Sequence, residues 1–134
     1  MTEVPWLLDT HVVVDWHAQK GIPRRLIQSI DRKASHGSVW ISSISFWEIA
    51  LLKKRGRIAI RNVETWMTEL LSNSGARLLE ATAADYMQSV DLPDYHRDPF
   101  DRVLVAQANR LNATLVTADE TIPSYPVRVM AVAA

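Results

Sequence analysis

The chain has 134 residues, 48% hydrophobic and 22% charged, an ordinary globular balance with enough length for one domain and a buried core. It contains no cysteine, which excludes disulfides and thiolate metal sites and fits a cytoplasmic setting. Net charge is zero, yet positions 20–61 carry ten basic residues against Asp31 and Glu48, so this segment is +8 and the remainder −8, an asymmetry that suggests a basic surface beside an acidic one.

VPWLL (4–8) reads as a strand that ends at Asp9-Thr10, where HVVVDWHA (11–18) starts a helix closed by Gly21-Ile22-Pro23. The N-terminal run lacks a basic leader, and no apolar stretch approaches the ~20 residues of a span, so neither a signal peptide nor a membrane segment is expected. Arg24 to Ser35 is helical by the spacing of Leu26, Ile27 and Ile30, and Gly37 ends it. SVWIS (38–42) reads as a strand, after which Ser43 is expected to cap ISFWEIALLKKRG, a helix apolar almost all round until Lys53. Asn62 is expected to cap a helix through Leu71 that closes near Gly75.

ARLLEA (76–81) follows as a strand, Thr82 caps ADYMQSV, and LPDYHR (92–97) is a loop. Asp98 then caps a helix to Leu111, with Pro99 at its first position. TLVTAD (114–119) and PVRVMAV (126–132) are strands. Strands alternating with helices predict an α/β domain with a mainly parallel central sheet flanked by helices. The short apolar runs VWIS and TLVT suit interior strands covered on both faces.

Ligands of such sheets sit beyond the carboxyl ends of the strands, and four acids fall there by position. Asp9 directly follows the first strand, Asp119 follows TLVTA, and Asp101 lies in the first turn of the helix begun by Asp98. Glu48 interrupts the apolar run SISFWEIALL. Asp9 also serves as an N-cap and Asp119 as a turn residue in a plain structural reading. Glu48 is harder to place that way, because an ionised carboxylate in an apolar helix is costly unless paired or coordinating a metal. Asp98 alone suffices as a cap, which leaves Asp101 for another task.

Several carboxylates in one cleft raise each other's pKa values, and a divalent cation resolves the repulsion. All-oxygen ligands favour Mg²⁺ or Mn²⁺ over Zn²⁺, and such ions suit phosphodiester hydrolysis. His11, His17, His36 and His96 lack metal-ligand spacing and read as structural or surface residues. The basic stretch Lys53, Lys54, Arg55, Arg57 and Arg61 follows the Glu48 helix and would guide a phosphate backbone toward the acids.

In order and spacing, LLDT (7–10), SSISFWEIALLKKRGRI (42–58), DPFDRVLVAQA (98–108) and LVTADE (115–120) resemble PIN-domain proteins, and within them the VapC-type toxins of type II toxin–antitoxin pairs. The likeness spans nearly the whole chain, a single PIN-like domain over residues 1–134. The resemblance implies that Asp9, Glu48, Asp101 and Asp119 are the acidic metal-binding and catalytic positions. Asp98 matches a further frequent aspartate that either assists or only caps, and Thr117 matches a small hydroxyl lining the site. It also implies a Mg²⁺-dependent endoribonuclease that forms a homodimer and is inhibited by a cognate antitoxin. Arg102 either pairs with a carboxylate or reaches a substrate phosphate, as Lys53, Lys54 and Arg55 would.

Two other readings share the strand-end acids. A receiver- or phosphatase-like domain would need an Asp two residues after Asp9 and a lysine after TLVT, and both are absent. A non-catalytic RNA- or protein-binding module on the same fold would be favoured by a missing acid, and none is missing. The sequence does not name the RNA, because recognition there rests mostly on shape and exposed loops.

Overall fold

The structure is a computed structural model that describes residues 3–95 and 97–132. Its elements run β1 (Trp6–Leu8), α1 (Thr10–Ala18), α2 (Arg24–Ser35), β2 (Val39–Ser42), α3 (Ser43–Lys54), α4 (Val63–Ser74), β3 (Arg77–Leu79), α5 (Ala83–Asp91), α6 (Pro99–Leu111), β4 (Thr114–Thr117), a 3-10 turn (Ile122–Ser124) and β5 (Val129–Ala131). The five strands form one sheet in the order β3-β2-β1-β4-β5, every neighbouring pair parallel. The α/β class and the parallel sheet expected from the sequence are both present, and VWIS and TLVT are interior strands.

Period-two alternation divides the core into two layers. Leu8, Val39, Ile41 and Val116 face α1, α2 and α4, whereas Leu7 and Leu115 face α6. Helix α3 straddles the division, with Phe46 and Ile49 in the first cluster and Ile44 in the second.

The caps hold the helix starts at the carboxyl edge of the sheet. Asp9, Asn62 and Asp98 each accept an amide hydrogen in the first turn of the following helix, as expected from sequence. Thr82 and Asp85 form a reciprocal capping box. One cap differs from expectation. Ser42, still extended at φ −73° and ψ 142°, caps α3 by accepting from Ile44 N at 3.1 Å. Ser43 is already helical, and its hydroxyl accepts from Ala81 N at 2.9 Å, tying the start of α3 to the β3–α5 link.

The chain leaves β1 through β2 to β3, then crosses back to β4 on the other side of β1. The reversal falls between β1 and β4, where an α/β sheet opens its ligand crevice. Helices α3 and α6 both begin at that carboxyl edge, because α3 follows β2 and α6 leads back to the start of β4. Among the described residues, no helix is long and apolar enough to cross a membrane.

Candidate active site

Asp9 ends β1 and is only 5% exposed. One of its oxygens accepts from Val12 N at 2.9 Å and the other from the Thr117 hydroxyl, so the residue is both a cap and a member of the cleft. Thr117 Oγ1 also accepts from Asp119 N at 3.0 Å, and Asp119 Oδ1 accepts from Thr121 N at 2.8 Å. This chain of contacts crosses the β1/β4 reversal and fixes two acids, one on each side of it.

Glu48 approaches from α3 and Asp101 from the first turn of α6. Glu48 Oε1 is buried and, among the described residues, accepts no hydrogen bond. Burial raises the Glu48 pKa, with Asp98 and Asp9 adding to the rise and Thr10 and His11 opposing it. Burial also raises Asp9, against the pull of Thr117, Val12 N and His11. Asp101 is pushed furthest: burial, then the charges of Asp98, Asp9, Glu48 and Asp119, take its carboxyl up to about 8. Residues from four separate segments therefore act on one carboxyl, which places all five acids in a common field.

The acids gather at one edge without enclosing a point. Among the described residues, no three His, Asp or Glu side chains stand close enough together to hold one ion. The donor chemistry nonetheless fits a hard divalent cation: every candidate ligand is an oxygen, Glu48 Oε1 is an unpartnered buried acceptor, and a cation would offset the repulsion at Asp101. Ligation would require these side chains to turn inward.

Other residues named from sequence lie elsewhere. Arg102 reaches back over the end of α5: its guanidinium donates to the carbonyls of Ser89 (3.1 Å), Val90 (3.3 Å), Leu92 (2.8 Å) and Pro93 (2.9 Å) and to Tyr125 Oη (3.2 Å). A carboxylate, the exposed Asp94, lies 3.7 Å away. Arg102 thus fastens the α5–α6 connection to the segment after the 3-10 turn. Lys53 Nζ donates to Arg61 O at 2.7 Å, whereas Lys54 and Arg55 are exposed. At 1.5 Å per residue, the end of α3 is about 16 Å from its start at the carboxyl edge. Arg57 and Arg61 rim a separate groove of about 840 Å³ between α1 and α4, beside Lys20, His17 and Trp66.

Sequence reading set all four histidines apart from the acids. His11, exposed in the first turn of α1, stands near enough to Asp9 and Glu48 to lower both carboxyls. His17 Nδ1 accepts from Trp66 Nε1 at 3.2 Å, His36 faces Glu3 at 3.7 Å, and His96 is outside the described residues. Thr10, whose hydroxyl donates to Ser45 Oγ at 3.0 Å beside Glu48, was also missed. No spacing rule marks a hydroxyl 35 residues from its partner.

A parallel sheet with clustered acids at its topological reversal defines an α/β domain whose ligand crevice is negatively charged. This chain belongs to the PIN-domain family, whose model matches residues 6–127. Its fold is similar to a chain of VapBC2 from Rickettsia felis, solved bound to a DNA fragment from the promoter, at 18% identity and TM-score 0.70 over 96% of this chain and 98% of that one. It is also similar to a chain of FitAcB from Neisseria gonorrhoeae (19% identity, TM-score 0.66, covering 93% and 96%). A toxin–antitoxin complex from Klebsiella pneumoniae contains a third (19%, TM-score 0.63, covering 92% and 94%). Comparison with curated protein sequences finds no match.

Proposed function

We propose that this PIN-domain chain is a divalent-metal-dependent endoribonuclease, the toxin of a type II toxin–antitoxin pair working in the cytoplasm. The observation that carries the reading is the gathering of acids at the edge where the sheet order reverses, with a buried Glu48 oxygen left without a donor among the described residues and an Asp101 carboxyl raised by burial and by Asp98, Asp9, Glu48 and Asp119. A structural carboxylate is ordinarily lowered by its partners, as Asp85 is: against the upward pull of burial, Arg110 holds it down through contacts of 2.8 and 2.9 Å. Perturbation by several like charges in a crevice is instead a mark of function.

In this reading Asp9, Glu48, Asp101 and Asp119 hold Mg²⁺ (or Mn²⁺), with Asp98 capping α6 and adding charge. When bound, the ion supplies an activated water and steadies the leaving oxygen of a phosphodiester. Thr117 orients Asp9, and the Asp119 amide orients Thr117 in turn. Lys53, Lys54 and Arg55 draw the RNA backbone along α3 toward the acids. An antitoxin that presents an arginine to the acids would form a charge-assisted pair and compete with the ion. The similarity in fold to chains of toxin–antitoxin complexes supports that partner. A homodimer completes the assembly, and the exposed Tyr86, Met87 and Val90 of α5 give it an apolar surface to use.

Purified protein is expected to cleave RNA in Mg²⁺ or Mn²⁺ and to stop with chelator. Asp9→Asn and Asp101→Asn should each lower the rate on the order of 10²-fold or more, since charge at a metal site contributes several kcal/mol. Reversal of Lys53, Lys54 and Arg55 to Glu should weaken RNA binding and flatten its salt dependence. Unchanged cleavage by both aspartate variants would overturn the assignment.

A further inference from the structure

We propose that Trp47, backed by Phe100, is a stacking platform for a nucleobase of the substrate at the edge of the acid cleft. The proposal rests on the ribonuclease reading and adds to it a residue that holds a base of the RNA.

Trp47 is 58% exposed in a helix whose neighbouring residues Ile44, Ser45, Phe46 and Ile49 are buried. Its indole meets the Phe100 ring edge to face, with centroids 5.0 Å apart and planes at 73°. The position of this pair follows from the helices that carry it. Trp47 immediately precedes Glu48 on α3, and Phe100 immediately precedes Asp101 on α6. Successive helical residues point about 100° apart. The two helix faces that bring Glu48 and Asp101 into one field therefore set the two rings side by side along its flank. Phe100 packs partly on the core and steadies the indole, most of which stays open.

A nucleobase fits that surface better than any charged group. The adjacent carboxylates repel a phosphate backbone until a cation offsets them, and stacking gives affinity without drawing on charge. Any base has a face to stack, so the platform would be tolerant of sequence. A base must be unstacked to meet the indole, which is why the probe in the test is single-stranded.

The test measures affinity rather than turnover. Binding of a fluorescent single-stranded 12-nucleotide RNA is followed by anisotropy for Asp101→Asn, which slows cleavage, and for the same protein with Trp47→Ala or Trp47→Phe. Trp47→Ala should weaken binding about tenfold, and Trp47→Phe should restore most of it. The Trp47→Ala loss should shrink on an oligomer carrying abasic sites. Mn²⁺ affinity of Trp47→Ala alone should match the wild type, which a general disturbance of α3 would not allow. Equal RNA affinity of Trp47→Ala and its parent would overturn the proposal. So would a change in elution volume with unchanged RNA affinity, because the indole would then belong to a contact between copies. If the wild type neither binds nor cleaves RNA, the ribonuclease reading itself fails and the platform falls with it.

Discussion

The Thr117 hydroxyl, at the end of β4, donates to the carboxylate of Asp9, at the end of β1, and joins the two strands at the point where the sheet order reverses. Strand register sets the pair up: Leu8 lies opposite Val116, so the residue after each comes next along the same edge. Thr117→Val keeps the shape and removes the only proton the hydroxyl can give. The buried Asp9 oxygen then loses a donor, and stability should fall by about 1–3 kcal/mol in a urea melt. Cleavage should fall about tenfold or more through disordered ligation, as is typical when a residue supporting a metal ligand is lost. Thr117→Ser should restore both.

Asp101 makes the metal-free protein sensitive to pH. Its carboxyl rises from 3.8 to about 8 in the folded state, through burial first and then the charges of Asp98, Asp9, Glu48 and Asp119. The folded state therefore binds more protons than the unfolded chain. The stability so contributed is complete below about 4 and is lost as pH rises through about 8. Melting temperatures recorded in chelator should decline across that window, and Asp101→Asn should flatten the decline. Metal affinity should run the other way and increase with pH, because ligation displaces the proton.

Glu48→Gln separates a metal ligand from a structural acid. The carboxylate has a buried oxygen without a partner and like charges around it. Neutralising it should leave the metal-free protein as stable or more stable, and should weaken the stabilisation Mg²⁺ gives. Removing one partner of a buried ion pair would instead cost about 3–5 kcal/mol. Thermal melts with and without Mg²⁺ distinguish the two.

Arg102 should matter to the fold before it matters to substrate. Among the described residues, its guanidinium holds four carbonyls at the end of α5 and the Tyr125 hydroxyl. Arg102→Met should destabilise the protein by about 2–3 kcal/mol, whereas Lys54→Met, at an exposed position, should stay within about 0.5 kcal/mol. Arg102→Lys should recover only part of the loss, since one ammonium cannot reproduce a planar fork of donors. Urea denaturation of the three variants is the check.

Elements set by local chemistry were legible in the chain. Asp98-Pro99 opens a helix, Asn62 and Gly75 bound another, and VWIS and TLVT mark interior strands; each depends on a few adjacent residues. The strand order was not legible, because no short-range pattern records which strand β4 joins. Ser42 rather than Ser43 caps α3 because the strand end and the helix start compete for the same two serines, and the Ala81 amide, 38 residues away, engages the second. That the acids gather at one edge was legible because strand ends are visible and a glutamate in an apolar helix stands out. The carbonyls that Arg102 donates to were not legible, because no side-chain pattern announces a backbone acceptor. The Thr82–Asp85 box was partly visible as a spacing, whereas its Arg110 partner depends on α5 packing on α6.

The most direct test of the acid cleft as a metal centre is a calorimetric titration of Mn²⁺ into the wild type and Asp101→Asn at pH 7, below the raised value of Asp101, where ligation must displace its proton. The expected result is saturable binding by the wild type, with proton release that varies with the ionisation enthalpy of the buffer, and affinity lowered by about tenfold or more in Asp101→Asn. Absent binding by the wild type, or equal affinity in the variant, would contradict the assignment of these carboxylates as ligands.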